Sequence, residues 1–88
     1  METQRRVRIK NASGLHARPC HALVSLALES AADVRVRLDG REVNGKSILE
    51  LMTLNASCGS ELEIETSGPG AVELLQQWID LIERGFEE

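Results

Sequence analysis

Three segments of this chain alternate strictly between apolar and charged residues, and that alternation leaves little choice of architecture. In residues 5–10 (RRVRIK), Val7 and Ile9 face one way and Arg6, Arg8 and Lys10 the other. In residues 33–40 (DVRVRLDG), Val34, Val36 and Leu38 face inward and Arg35, Arg37 and Asp39 outward. In residues 61–65 (ELEIE), Leu62 and Ile64 face inward and three glutamates outward. A period of two with one apolar face is the signature of a half-buried strand. Residues 41–43 (REV) follow Asp39-Gly40, a hairpin turn signal, and supply a further strand.

The outward faces differ in sign. Two strands are basic, and residues 61–65 are acidic. Opposite charges facing each other across neighbouring strands are favourable and like charges are not. The acidic strand therefore belongs between the two basic ones, which predicts the sheet order 1-4-2-3. A sheet with one charged face needs covering on the other face only.

Three helical stretches can supply that cover. From Cys20 onward, Leu23, Val24, Ala27 and Leu28 recur at helical spacing. Residues 47–54 (SILELMTL) form a short second helix. Its opening reads as a capping box, with Ser47 at the cap and Glu50 reaching back. Leu51 and Leu54 should then point to the core, leaving Ile48, Leu49 and Met52 partly exposed. The third helix lies within residues 68–88, with Pro69 in its first turn and Gly85 ending it. Val72, Leu75, Ile79, Ile82 and Phe86 step by three and four, and Leu74, Trp78 and Leu81 widen that face. The order β-α-β-β-α-β-α over 88 residues implies one α+β domain, residues 1–88.

Composition excludes several functions. The net charge is −4, so no broadly basic surface exists for nucleic acid. Trp78 and Phe86 are the only aromatics, too few to stack bases. No apolar run approaches membrane-spanning length, and the N-terminal residues lack a secretory apolar stretch. A cytoplasmic monomer is expected, with Cys20 and Cys58 as reduced thiols. Cys58 sits in a turn beside Gly59 and has no assigned role. His16 and Cys20 stand four apart, a metal-ligand spacing on one helix face, but no obvious third ligand joins them and no metal or cofactor is implied.

The segment that carries chemistry is residues 11–19, NASGLHARP. Asn11 to Gly14 is turn-like, and Pro19 suits a first helical turn, so a helix should begin near His16 or Ala17. The first amides of a helix have no internal partners and, with the helix dipole, attract anions. The same positive end disfavours a protonated ring, which keeps His16 neutral and nucleophilic. A phosphoryl group on His16 would meet the amides of Ala17 and Arg18, with the Arg18 guanidinium as counter-charge. Physics alone leaves two readings: a histidine that takes up and passes on a phosphoryl group, or a histidine that merely caps the helix beside a solvated arginine.

Residues 11–19 (NASGLHARP) followed by 43–54 (VNGKSILELMTL) resemble the HPr family, the phosphocarriers of the bacterial phosphotransferase system, over nearly the whole chain. The resemblance implies an open-faced β-sandwich. It implies phosphorylation of His16 on Nδ1 by enzyme I, transfer to an enzyme IIA component, and stabilisation by Arg18. It also implies regulatory phosphorylation of Ser47 by a dedicated HPr kinase/phosphorylase, and a docking face containing Ala17, Cys20, His21, Lys46, Ile48, Leu49 and Met52. Ser25 and Leu28 stand where many relatives carry lysines, Glu50 replaces another frequently basic site, and residues 51–59 and 82–88 look more like the nitrogen-branch carriers. A module whose phosphorylation state controls partner association, in place of sugar uptake, is the alternative.

Overall fold

The computed structural model describes residues 3–87. Strand β1 spans Gln4–Arg8, helix α1 Ala17–Leu28, β2 Asp33–Leu38, β3 Arg41–Asn44, α2 Ile48–Thr53, β4 Glu61–Ser67 and α3 Ala71–Glu83; a 3-10 turn, Gly85–Glu87, closes the chain. The strands form one antiparallel sheet in the order β1-β4-β2-β3, as charge pairing predicts. The helices cover one face, giving an open-faced α+β sandwich.

The register puts opposite charges in direct apposition. Arg6 faces Glu63 and Arg8 faces Glu61 across β1 and β4. Arg35 faces Glu65 and Arg37 faces Glu63 across β2 and β4. The Arg37 guanidinium reaches Glu65 at 2.6 Å, Glu42 at 2.7 Å and Glu63 at 3.4 Å. Hydrogen bonds to Glu65 and Glu42 hold its charge more firmly than in water. Asp39 and Gly40 both take positive φ, the geometry that lets a two-residue turn match strand twist.

Under the sheet, Val7, Val34, Val36, Leu62 and Ile64 meet Leu23 and Ala27 of α1, Leu51 of α2, and Leu74, Trp78 and Ile82 of α3. Trp78 is fully buried, and its indole N–H donates to the carbonyl of Leu23 at 3.1 Å, satisfying the one polar atom it brings inside. Gly45 makes room for that ring: a Cβ there would lie 2.7 Å from the indole and 2.6 Å from Val34.

Several details depart from the sequence reading. β1 ends at Arg8, and Ile9 continues only through bonds to the turn before β4, its N–H on Ser60 O and its carbonyl accepting from Gly59 N, both 2.8 Å. β4 runs two residues further than expected, because the buried Thr66 hydroxyl donates to Ala71 O at 2.7 Å and so ties the strand end to α3. Pro69 lies before α3 and not in its first turn, since Gly70, in left-handed geometry, is the N-cap. Val72 is only half-buried, while Leu74 and Trp78 are at the centre of the α3 core face. Leu28 is 65% exposed: α1 ends there, before any element can cover it.

Candidate functional site

The loop before α1 is fixed by short-range geometry. Asn11, itself buried, donates from Nδ2 to Gly14 O at 2.8 Å, and Gly14 N returns to Asn11 O at 3.2 Å. Gly14 has φ +68, and a Cβ on it would stand 2.4 Å from Ala56 O. Only glycine combines that dihedral with that approach. The contact brings Leu15 N onto Ala56 O at 2.8 Å, which ties the loop to the segment after α2.

His16 is the N-cap of α1, with extended backbone (φ −88, ψ −172) and a half-exposed ring. Its carbonyl accepts the first intrahelical bond, from Cys20 N at 3.1 Å. Its side chain makes no capping hydrogen bond, so the ring does not occupy the helix-start amides. Pro19 brings no N–H, which leaves the amides of Ala17 and Arg18 as the donors of the first turn. That turn holds no acidic side chain to compete for them. Arg18 is exposed and makes no hydrogen bond or ion pair with other described residues. A ring nitrogen carrying an anionic group at this point would therefore find backbone donors and an exposed guanidinium together.

The ring borders a depression of about 350 Å³ between the α1 start and the end of α2, whose other walls are Ser13, Leu15, Met52, Asn55, Ala56 and Ser57. A larger hollow, about 440 Å³, lies on the open sheet face. Its lining includes Arg6, Arg37, Glu42, Glu61 and Glu63, whose charges already pair with one another.

Of the residues expected to surround the site, Ala17 and His21 are exposed. On α2, Leu49 is 78% and Met52 38% exposed, while Ile48 is half-buried and Leu51 and Leu54 face the core. Lys46 turns its ammonium onto Ser30 O at 3.0 Å, just past the end of α1, where a cation complements the helix dipole. Cys20 is a correction: it is 0% exposed, its thiol directed at Leu15 O at 3.7 Å, so it belongs to the core and cannot meet a partner. No group of three or more metal-binding side chains that could hold an ion occurs among the described residues.

Ser47 caps α2, its Oγ accepting from Glu50 N at 3.2 Å. The second half of the expected capping box does not form. Ser47 N bonds to Asn44 O instead, and the Glu50 carboxylate accepts from Asn44 N at 2.9 Å. Glu50 thus closes the β3–α2 corner three residues earlier in the chain.

Sequence reasoning missed Asn55, Ser13 and Ser57 as walls of the depression, and Arg41 as a clamp on α2. Asn55 had a readable signal in its position just past an α2 end, where left-handed geometry favours Asn. The other three depend on long-range placement.

A family model for the phosphorylation site of the phosphotransferase-system HPr component matches residues 3–84. The chain belongs to the HPr family of phosphotransferase-system phosphocarriers. It is 39% identical to the phosphocarrier protein HPr of Treponema pallidum over 82 residues, 93% of each chain. It is 37% identical to the phosphocarrier protein NPr of Klebsiella oxytoca, covering 100% of this chain and 99% of that one. Among solved structures, HPr of Thermoanaerobacter tengcongensis superposes with a TM-score of 0.94 at 34% identity, covering 99% of this chain and 98% of that one. HPr of Bacillus anthracis gives 0.86 at 37%, covering 90% and 94%. No helix of the described residues is long and apolar enough to cross a membrane.

Proposed function

We propose that this chain carries a phosphoryl group on His16, receiving it from enzyme I and passing it to an enzyme IIA component. The Nδ1 lone pair attacks phosphorus as the bond to the donor breaks, and the reverse exchange delivers the group onward. The amides of Ala17 and Arg18 and the Arg18 guanidinium hold the transferred oxygens. The observation that carries this reading is the N-cap placement of His16, where its own ring leaves the helix-start donors unclaimed. Ala17, His21, Ile48, Leu49 and Met52 form the docking face around it, with the Lys46 stem at its margin. A small exposed apolar cluster beside a reactive group is the usual mark of a binding surface. Met52 supplies its adaptable contact.

Ser47 is the second proposed phosphorylation position, for an HPr kinase/phosphorylase. A phosphate there would retain the α2 amide as a donor and would crowd the Glu50 carboxylate, so the Glu50–Asn44 corner is where the added charge would be felt. A regulatory role, in which phosphorylation controls partner association, is favoured by Glu50 itself, an acidic side chain on the docking helix.

Incubation with phosphoenolpyruvate and enzyme I tests the carrier reading. Acid-labile, base-stable phosphate should appear on the native protein and vanish in His16→Ala. Label that persists in His16→Ala, or none on the native chain, sinks it. Label that forms and never moves to any IIA protein supports the regulatory role.

A further inference from the structure

We infer that Asn55 contacts the phosphoryl group, its side-chain amide donating a hydrogen bond to an oxygen of the group borne on His16. This rests on the proposal that His16 is the acceptor.

Among the described residues, four that are not glycine take positive φ: Asp39, Asn55, Phe86 and Glu87. Asp39 makes the hairpin turn, and Phe86 and Glu87 belong to the closing 3-10 turn. Asn55, at φ +52, is the one beside the site. Left-handed backbone is strained for most side chains, cheapest for glycine and tolerated by asparagine. The backbone here would be satisfied by glycine, so the carboxamide is the part that calls for an explanation.

The carboxamide has no hydrogen-bond partner among the described residues, and Asn55 lines the same depression as His16. The two are held in register. Leu15 N donates to Ala56 O at 2.8 Å, so His16 and Asn55 each stand one residue from a fixed bonded pair, and Gly14 pressed on Ala56 O keeps that pair closed. Apart from His16, the walls of the depression carry no ionisable side chain. A neutral amide donor there adds a contact for a dianionic group without pairing with it beforehand, and it arrives from a different element than the α1 amides.

The closing experiment compares native protein with Asn55→Gly and Asn55→Asp. Glycine preserves the left-handed backbone and removes only the amide; aspartate keeps the size and replaces a donor by a charge. The readouts are the equilibrium level of phosphohistidine at a fixed phosphoenolpyruvate-to-pyruvate ratio with catalytic enzyme I, and the Asn55 side-chain amide proton resonances before and after loading. The phosphorylation equilibrium constant should fall about fivefold in Asn55→Gly and further in Asn55→Asp, and the native amide protons should move downfield on loading. An Asn55→Gly constant within about twofold of native, or amide resonances that do not move, overturns the contact while leaving the acceptor role of His16 intact. A native chain that takes no phosphate overturns both readings, and is distinguished by the absence of phosphohistidine in every sample.

Discussion

Arg41 grips Thr53 twice, one guanidinium nitrogen donating to the Thr53 carbonyl at 2.5 Å and the other to its hydroxyl at 3.0 Å. Thr53 in turn donates from that hydroxyl to Glu50 O at 2.6 Å. A short helix with few internal bonds of its own is thereby anchored at its C-terminal end by a strand residue twelve positions away. Arg41→Ala should cost about 1 kcal/mol of global stability, the usual net worth of exposed hydrogen bonds. Amide exchange in α2 should accelerate more than in α1 or α3. Uniform acceleration across all three helices would show that the grip matters only globally.

Gly14→Ala should damage both the fold and the site. The new methyl would meet Ala56 O at 2.4 Å in a backbone region that disfavours side chains. A loss of about 2 kcal/mol or more is expected, since strain and overlap add. Chemical denaturation measures it. The damage should be accompanied by chemical-shift changes at both Leu15 and Ala56; an unchanged Leu15 amide would contradict the closeness described here.

Trp78→Phe keeps an aromatic ring and removes the indole N–H that serves Leu23 O. The variant leaves a buried carbonyl without its donor and some unfilled space, together about 2–3 kcal/mol. The midpoint of urea unfolding should drop with an unchanged slope. A variant as stable as native would mean that Leu23 O finds another donor.

Burial pushes the Cys20 thiol up to about 11 from the ordinary 9.0. Below 9 the thiol is protonated in folded and unfolded chains alike, and the residue gives no pH dependence. As pH rises from 9 toward 11 the unfolded chain ionises first and binds fewer protons, so stability falls through that window. The decline should be shallower in Cys20→Ala. Thiol reagents at neutral pH should modify Cys58, which is exposed, and reach Cys20 only on unfolding.

The architecture was legible because its determinants are local or pairwise. Val7, Val34 and Leu62 announce their faces through period two, and the signs on Arg6, Arg37 and Glu63 select neighbours. His16 was legible for the same reason, since the turn before it and Pro19 after it mark a helix start. What escaped is decided by distant chain. Glu50 turns to Asn44 because the β3–α2 corner offers an amide, and no spacing rule encodes that corner. Cys20 stands on the same helical stripe as Leu23, Val24 and Ala27, so its burial was legible by spacing, and only the family resemblance placed it on the docking face. Leu28 reads as core by periodicity until the helix stops beneath it.

The ionic ladder on the sheet has one weakness. Slide β1 by two residues toward the C-terminal end of β4 and Arg6 would meet Glu65 and Arg8 would meet Glu63, with Val7 still facing inward. Charge and hydropathy thus choose the neighbours and cannot forbid that slip. What forbids it is the anchoring beyond the strand end: Ile9 clasped to Gly59 and Ser60, then Leu15 to Ala56. The loop that presents the histidine is also the pin that holds the edge strand in alignment. Sequence change there is answerable to folding and to chemistry at once, which narrows how far the loop can drift before both are lost.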